Sequence, residues 1–186
     1  EKKEIIGKLR PVTRNMNQTF DELLESLKVR QDLEIKSELL KFQDCLTRAI
    51  TGLDSEIATT GATLKADFSK APEVTYPAKY LHSIFHNLIS NALKYSAPER
   101  KPIITLESKK SGDRIIFSIK DNGIGIDLEK NGAKLFMLGK VFHEHRDAKG
   151  FGLFITKTQV EAMKGKIWAE SKPGTGTQFF IEFAAQ

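Results

Sequence analysis

Leu81-His82-Ser83-Ile84-Phe85-His86-Asn87-Leu88-Ile89-Ser90-Asn91-Ala92-Leu93-Lys94-Tyr95-Ser96 reads as one amphipathic helix. Leu81, Ile84, Phe85, Leu88, Ile89, Ala92 and Leu93 recur at three- and four-residue steps, one apolar stripe of a helix. Asn87 and Asn91 stand four apart on a shared face, and Lys94 follows three later. Asn is a mediocre helix former, because its side chain competes for nearby backbone groups. Two of them on one face, with a Lys, suggest groups held for use. An amide carbonyl suits a hard cation such as Mg²⁺, and an ammonium suits phosphate. Taken alone, the pattern also fits a core helix whose polar edge faces water.

Working along the chain from its start, residues 1–33 read as a helix with Leu9, Val12, Met16, Phe20, Leu23, Leu24 and Leu27 on one side. Pro11 marks a kink or a first turn. This apolar face has little neighbouring chain to cover it, so it is expected to pack on a partner, most simply a second copy. The alternative is folding back on the main domain. The chain begins at Glu1 without Met, and a piece of a longer protein is expected.

A short strand is expected at 34–37 and a second amphipathic helix at 38–58, ending near Thr59-Thr60-Gly61. Residues 62–68 alternate as a strand, and Ala71-Pro72 and Pro77 punctuate a loop before the Asn-bearing helix. After a turn at Ser96 to Pro102, strands are expected at 103–108 and 114–120, joined by Ser111-Gly112-Asp113. Residues 122–150 form a long, poorly periodic connection, a length that suits a functional lid. A helix follows at 151–164, ended by Gly165, and then strands at 166–170 and 177–183 around a turn-rich hairpin. Strands and helices in runs favour an α+β fold with an antiparallel or mixed sheet.

Composition sets limits. Charged residues at 28% and apolar ones at 40% describe a globular chain. The net charge of +5 is scattered, with no basic stripe interleaved with aromatics, so nucleic acid is not an expected partner. No run of about 18 apolar residues is present, so no membrane-crossing segment is expected. Cys45 is the only cysteine, set in an apolar-periodic segment, which excludes a disulfide framework.

Three glycine clusters carry the chemistry. Asp121-Asn122-Gly123-Ile124-Gly125-Ile126 follows a strand, Gly150-Phe151-Gly152-Leu153 opens a helix, and Gly174-Thr175-Gly176-Thr177 sits in the last hairpin. Glycine allows close backbone approach, and a helix N-terminus suits phosphate. The first cluster is no dinucleotide fingerprint, because Leu128 stands where the third Gly belongs, and no phosphate-loop Gly-Lys-Ser/Thr is present.

In that order, the Asn-x-x-x-Asn helix and the glycine clusters resemble the catalytic ATP-binding domain of sensor histidine kinases. The wider superfamily also holds gyrase B, MutL and related ATPases. Asn87 to Ser96 is similar to the N box, Leu135-Phe136 through Phe142 to a divergent F box, and the three glycine clusters to the glycine boxes. The resemblance covers residues 34–186, with 1–33 resembling the second helix of the dimerisation and phosphoacceptor hairpin. It implies a two-layer α/β sandwich, a mixed five-stranded sheet backed by three helices (the Bergerat-type fold), with an ATP lid at about 127–149.

The resemblance implies Mg²⁺ on Asn91, with Asn87 supporting the ion or the phosphates. It implies Lys94 on a phosphate and Tyr95 bordering the nucleotide. Asp121 would accept from the adenine amino group, where guanine instead presents a carbonyl. Gly123, Gly125 and Ile126 would meet the base and sugar, Gly150, Phe151, Gly152 and Leu153 would cradle the phosphates, and Thr177 would line the same site. Lys140, Arg146 or Lys149 would reach the γ-phosphate. His143 and His145 lie in the same lid without further ligands to make a metal site.

Gyrase-type relatives place a Glu one turn before the Mg²⁺-binding Asn, to activate water. Here that position is Asn87, and an amide is no general base. The expected reaction is therefore phosphoryl transfer to a His, then relay to an Asp of a response regulator. His82, His86, His143 and His145 all lack the family's His-Glu/Asp-x-x-x-Pro setting, so the acceptor is expected outside this chain. The implied partners are a second copy through the N-terminal helix and a receiver domain. The expected location is cytoplasmic, with the longer parent free to be membrane-anchored. Three other readings are a nucleotide-sensing module without transfer activity, a serine kinase of the anti-sigma type, and a dimerisation module whose glycines are structural turns.

Overall fold

The computed structural model describes residues 36–139 and 150–184. The expected helix at 1–33 and the lid residues Lys140, His143, His145, Arg146 and Lys149 lie outside the described residues.

Seven strands and five α-helices are described: β1 (Glu38–Lys41), α1 (Phe42–Gly52), α2 (Asp54–Thr60), β2 (Thr63–Lys70), β3 (Glu73–Tyr76), α3 (Ala78–Lys94), β4 (Ile103–Ser111), β5 (Arg114–Asp121), α4 (Leu128–Asn131), α5 (Gly152–Ala162), β6 (Lys166–Lys172) and β7 (Gly176–Phe183). Five strands form one sheet in the order β2-β4-β5-β7-β6. Only β2 and β4 run parallel, the other pairs being antiparallel, so the sheet is mixed as expected. Helices α1, α3 and α5 form the second layer.

The alternation of each strand decides which face meets the helices. Leu106, Phe117, Ile119, Ile181 and Phe183 are buried on that face. All seven apolar positions of the α3 stripe are buried, with Tyr80 in addition. On α1, Phe42, Cys45, Leu46 and Ala49 form the matching stripe. Phe42 sits at its centre, its ring 5.6 Å from Phe68, 6.2 Å from Phe85, 5.6 Å from Phe117 and 5.9 Å from Phe183. Burial within this aromatic cluster pins α1 and α3 against the sheet.

Three expectations need correction. The short strand expected at 34–37 is absent at 36 and 37, its described part, and the first strand begins at Glu38. Residues 38–41 form a strand, not the start of a helix, because they pair antiparallel with β3. That strand occupies what reads as loop between Pro72 and Pro77, and its pairing is long-range, so local pattern does not reveal it. The helix expected over 38–58 is broken at Leu53, which is buried with φ −125° and separates α1 from α2. Gly52 weakens the helix there. Gly61 then closes α2 in the left-handed conformation, as expected.

The long connection after β5 is partly ordered into elements. Asp127 caps α4 by accepting from the Lys130 N–H at 3.2 Å, a single 3₁₀ turn covers Gly132–Lys134, and Leu135 is buried. Phe136 anchors the same segment, edge-on to Phe179 at 6.5 Å, with the Lys157 ammonium 5.9 Å over its ring. Among the described residues no helix is long and apolar enough to cross a membrane.

Candidate functional site

Helix α3 is the axis of the site. Its buried stripe holds the helix against the sheet, which leaves Asn87 and Asn91 half-buried along one edge and Lys94 exposed at the last turn. The Asn87 amide donates to the Gly152 carbonyl at 3.3 Å and lies 3.5 Å from the Thr156 hydroxyl. The start of α5 is thereby tied to the Asn-bearing edge. Gly152 stands against Asn87 with room for a Cβ, which would lie at an ordinary contact distance of 3.6 Å from the amide, so this approach does not itself demand glycine. No side chain of Phe151 caps the start of α5.

The C-terminal end of α3, two turns beyond Asn87, meets the first glycine cluster. The Ile124 N–H donates to the Tyr95 carbonyl at 3.0 Å. A Cβ on Gly123 would overlap that carbonyl and stand 2.9 Å from the Asp121 carboxylate. The need for glycine here is met by the helix end itself. Tyr95 is half-buried, and burial raises its phenol.

Asp121 ends β5 and is half-buried. Its Oδ1 accepts from the Gly123 N–H at 2.8 Å and the Thr177 N–H at 3.2 Å. Burial pushes the carboxyl above the usual range, and the two backbone N–H groups pull it back only in part. The carboxylate thus joins the first glycine loop to the β6–β7 hairpin.

Further bonds stitch those two segments together. Gly174 N–H donates to the Ile124 carbonyl at 2.7 Å, and Ile126 N–H donates to Ser171 Oγ at 2.8 Å. Ser171 Oγ also lies 2.9 Å from Thr177 Oγ1. Gly125 has φ +70°, and a Cβ there would run into the Lys172 carbonyl. Leu153 and Ile126 pack their side chains against the core.

The structure therefore brings Asn87 to Gly152, Tyr95 to Gly123, and Asp121 to Thr177, all around one helix and one hairpin. Lys149 lies outside the described residues. Three residues with structural roles here went unread in the sequence. Asn122 accepts from the Ile103 N–H at 2.8 Å and donates to the Lys101 carbonyl at 3.0 Å, while Arg100 reaches three loop carbonyls. Ser171 is the third. Asn122 follows Asp121 beside Gly123 but bonds to residues 101 and 103, and Ser171 bonds across to residue 126, so neither set of partners has a local signal. Arg100 carries no local signal.

The family model of the histidine kinase-, DNA gyrase B-, and HSP90-like ATPase matches residues 77–186. The chain is 33% identical over 168 residues to Cyanobacterial phytochrome A of Nostoc sp., covering 89% of this chain and 21% of that protein. It is 29% identical over 183 residues to the Sensor protein kinase WalK of Staphylococcus aureus, covering 96% of this chain and 30% of the relative. The chain thus spans less than a third of either curated relative. Its fold matches the Acinetobacter baumannii histidine kinase AdeS with a TM-score of 0.76 at 19% identity, over 94% of this chain and 80% of that one. The match extends the sandwich upstream of Pro77, where α1 and β2 complete both layers. With a family model over more than half its length, one that takes in the asparagine helix and all three glycine clusters joined around α3, this chain belongs to the histidine kinase-, DNA gyrase B-, and HSP90-like ATPase family.

Proposed function

We propose that residues 34–186 bind ATP with magnesium and pass the γ-phosphoryl group to a histidine of a separate dimerisation helix. The observation that carries this reading is the connection of two ends of the site by one helix. Asn87 meets the start of α5 at one end, and Tyr95, two turns on, meets the Asp121 loop at the other. An adenine nucleotide has the same two-ended chemistry, an amino group to be accepted and phosphates to be neutralised.

At the base end, Oδ1 of Asp121 is taken by two backbone N–H groups, so Oδ2 is the oxygen offered to the adenine amino group. At the phosphate end, Lys94, the N-terminus of α5 and a lid cation would meet the negative charge. Asn91 would hold the magnesium through its amide oxygen. Among the described residues no three His, Cys, Asp or Glu gather as a metal site. One amide oxygen fits an ion that takes most of its ligands from phosphate and water, as Mg²⁺ does. The ion would neutralise the phosphate oxygens as charge shifts during transfer.

Asn87 supports a kinase over a hydrolase. Its amide is no general base, and its Nδ2 is already donating to Gly152. In the proposed transfer an imidazole nitrogen attacks the γ-phosphorus, the bond to the bridging oxygen breaks, and ADP leaves. The lid, about 127–149, would exclude water. Residues 1–33 are proposed to be the second helix of the dimerisation hairpin and to pair with a second copy, and a receiver-domain Asp is the proposed next acceptor.

Incubation with γ-labelled ATP tests the reading. The chain alone is expected to gain no stable acid-labile label, because none of its four histidines has an acceptor setting. A separately supplied acceptor-helix domain is expected to gain acid-labile label when the chain is present. Phosphoserine on a target would point instead to the anti-sigma type of serine kinase. Nucleotide binding without transfer to any acceptor would point to a sensing module.

A further inference from the structure

Arg100 stands in the turn between α3 and β4, its side chain one-third exposed. Its guanidinium donates to three main-chain carbonyls. Nε reaches Asn122 at 2.6 Å, and Nη2 reaches Gly123 and Gly174, each at 2.8 Å. Nη1 bonds Glu99 Oε1 at 2.8 Å. The three carbonyls come from two loops, the one that follows Asp121 and the turn of the β6–β7 hairpin. The N–H groups that hold Asp121, those of Gly123 and Thr177, come from the same loop and the strand after that turn.

Gly123 is therefore gripped at both ends of the residue. Its N–H goes to the Asp121 carboxylate and its carbonyl to Arg100. Three carbonyl dipoles converging on one spot repel one another unless a cation sits among them. The planar fork holds two nitrogens at a fixed spacing, Nε on Asn122 and Nη2 on Gly123 and Gly174, whereas the three donors of an ammonium turn about one nitrogen and fix no such spacing. The tie acts across the loops, so it sets the spacing between them and with it the orientation of the carboxylate they share.

We propose that Arg100 is a positioning residue for the base end of the site, holding Asp121 so that it accepts from a 6-amino purine and turns away a 6-oxo one. This rests on the reading that Asp121 faces adenine. Adenine presents a donor at that position and a 6-oxo purine an acceptor, which a carboxylate repels.

The test is a pair of dissociation constants, for ATP and for inosine triphosphate with magnesium, measured on the chain and on Arg100→Met and Arg100→Lys. The unaltered chain is expected to prefer ATP. Arg100→Met is expected to weaken ATP by roughly tenfold or more and inosine triphosphate by far less, so that the preference collapses towards one. Arg100→Lys is expected to recover only part of it. A structural role alone would lower the melting temperature and leave the ratio of the two constants unchanged, and that result overturns the proposal. Should Arg100→Met fail to fold, Arg100→Lys carries the comparison: a reduced preference supports the proposal, and a full preference overturns it. An unaltered chain that shows no preference for ATP contradicts the Asp121–adenine reading itself.

Discussion

Asp121→Asn is expected to lower the affinity for ATP by roughly 10- to 100-fold while the fold survives. Asn keeps an oxygen to accept from Gly123 and Thr177, so the loop and hairpin stay joined. The other end of the amide is now NH₂, which faces the adenine amino group donor to donor. The loss is that of a hydrogen bond to a charged acceptor, together with an unsatisfied donor left in a half-buried site. Calorimetric titration of both forms measures it. The pH profile is a second signature. The Asp121 carboxyl is raised above its usual range by burial. Only its ionised form accepts from adenine, so affinity is expected to fall as pH drops through that raised value. The group's own effect on folding runs the other way: a raised carboxyl costs stability above its unfolded value, and the cost is relieved as pH falls through the folded one. Binding lost on acidification in this window is therefore not acid unfolding caused by Asp121. In Asp121→Asn this pH dependence is expected to vanish.

Gly125→Ala is expected to cost about 2–4 kcal/mol of stability and to lower the melting temperature by roughly 5–15 °C. Two effects add. The residue sits at φ +70°, which an L side chain adopts only at a cost, and its Cβ would collide with the Lys172 carbonyl, which is backbone and cannot swing aside. Relief requires the β6–β7 hairpin to move away from the first glycine loop. That movement pulls on Ile126–Ser171 and Gly174–Ile124 and loosens the Thr177 grip on Asp121. Gly112→Ala is the control. It has φ +60° with nothing within 4 Å of its Cβ, so only the backbone cost of about 1–2 kcal/mol remains. Thermal melts of the two variants separate the clash from the dihedral.

What the sequence made legible was periodic or glycine-marked. The seven apolar residues of α3 are buried because helix period and core face coincide. The β4–β5 hairpin follows from two alternating runs closed by Gly112, and the α2 terminus from Gly61. Asp121 and the α3 asparagines could be singled out because polar residues break an otherwise apolar logic. What stayed hidden depends on distant partners. Strand β3 has four residues between prolines and exists through its pairing with β1. Residues 38–41 read as helix because Glu, Leu and Lys favour it locally, and the pairing wins. Asn87 finds Gly152 only in three dimensions. Arg100 bonds to carbonyls, which every residue has, so no residue type announces its partners.

Calorimetry of ATP binding with and without magnesium, on the chain and on Asn91→Ala, bears on the whole reading. A saturable heat is expected that strengthens with magnesium, and Asn91→Ala is expected to bind ATP without that magnesium gain. The absence of any heat with ATP in magnesium, or an Asn91→Ala chain with an unchanged magnesium response, would contradict a site built from α3, the Asp121 loop and the start of α5.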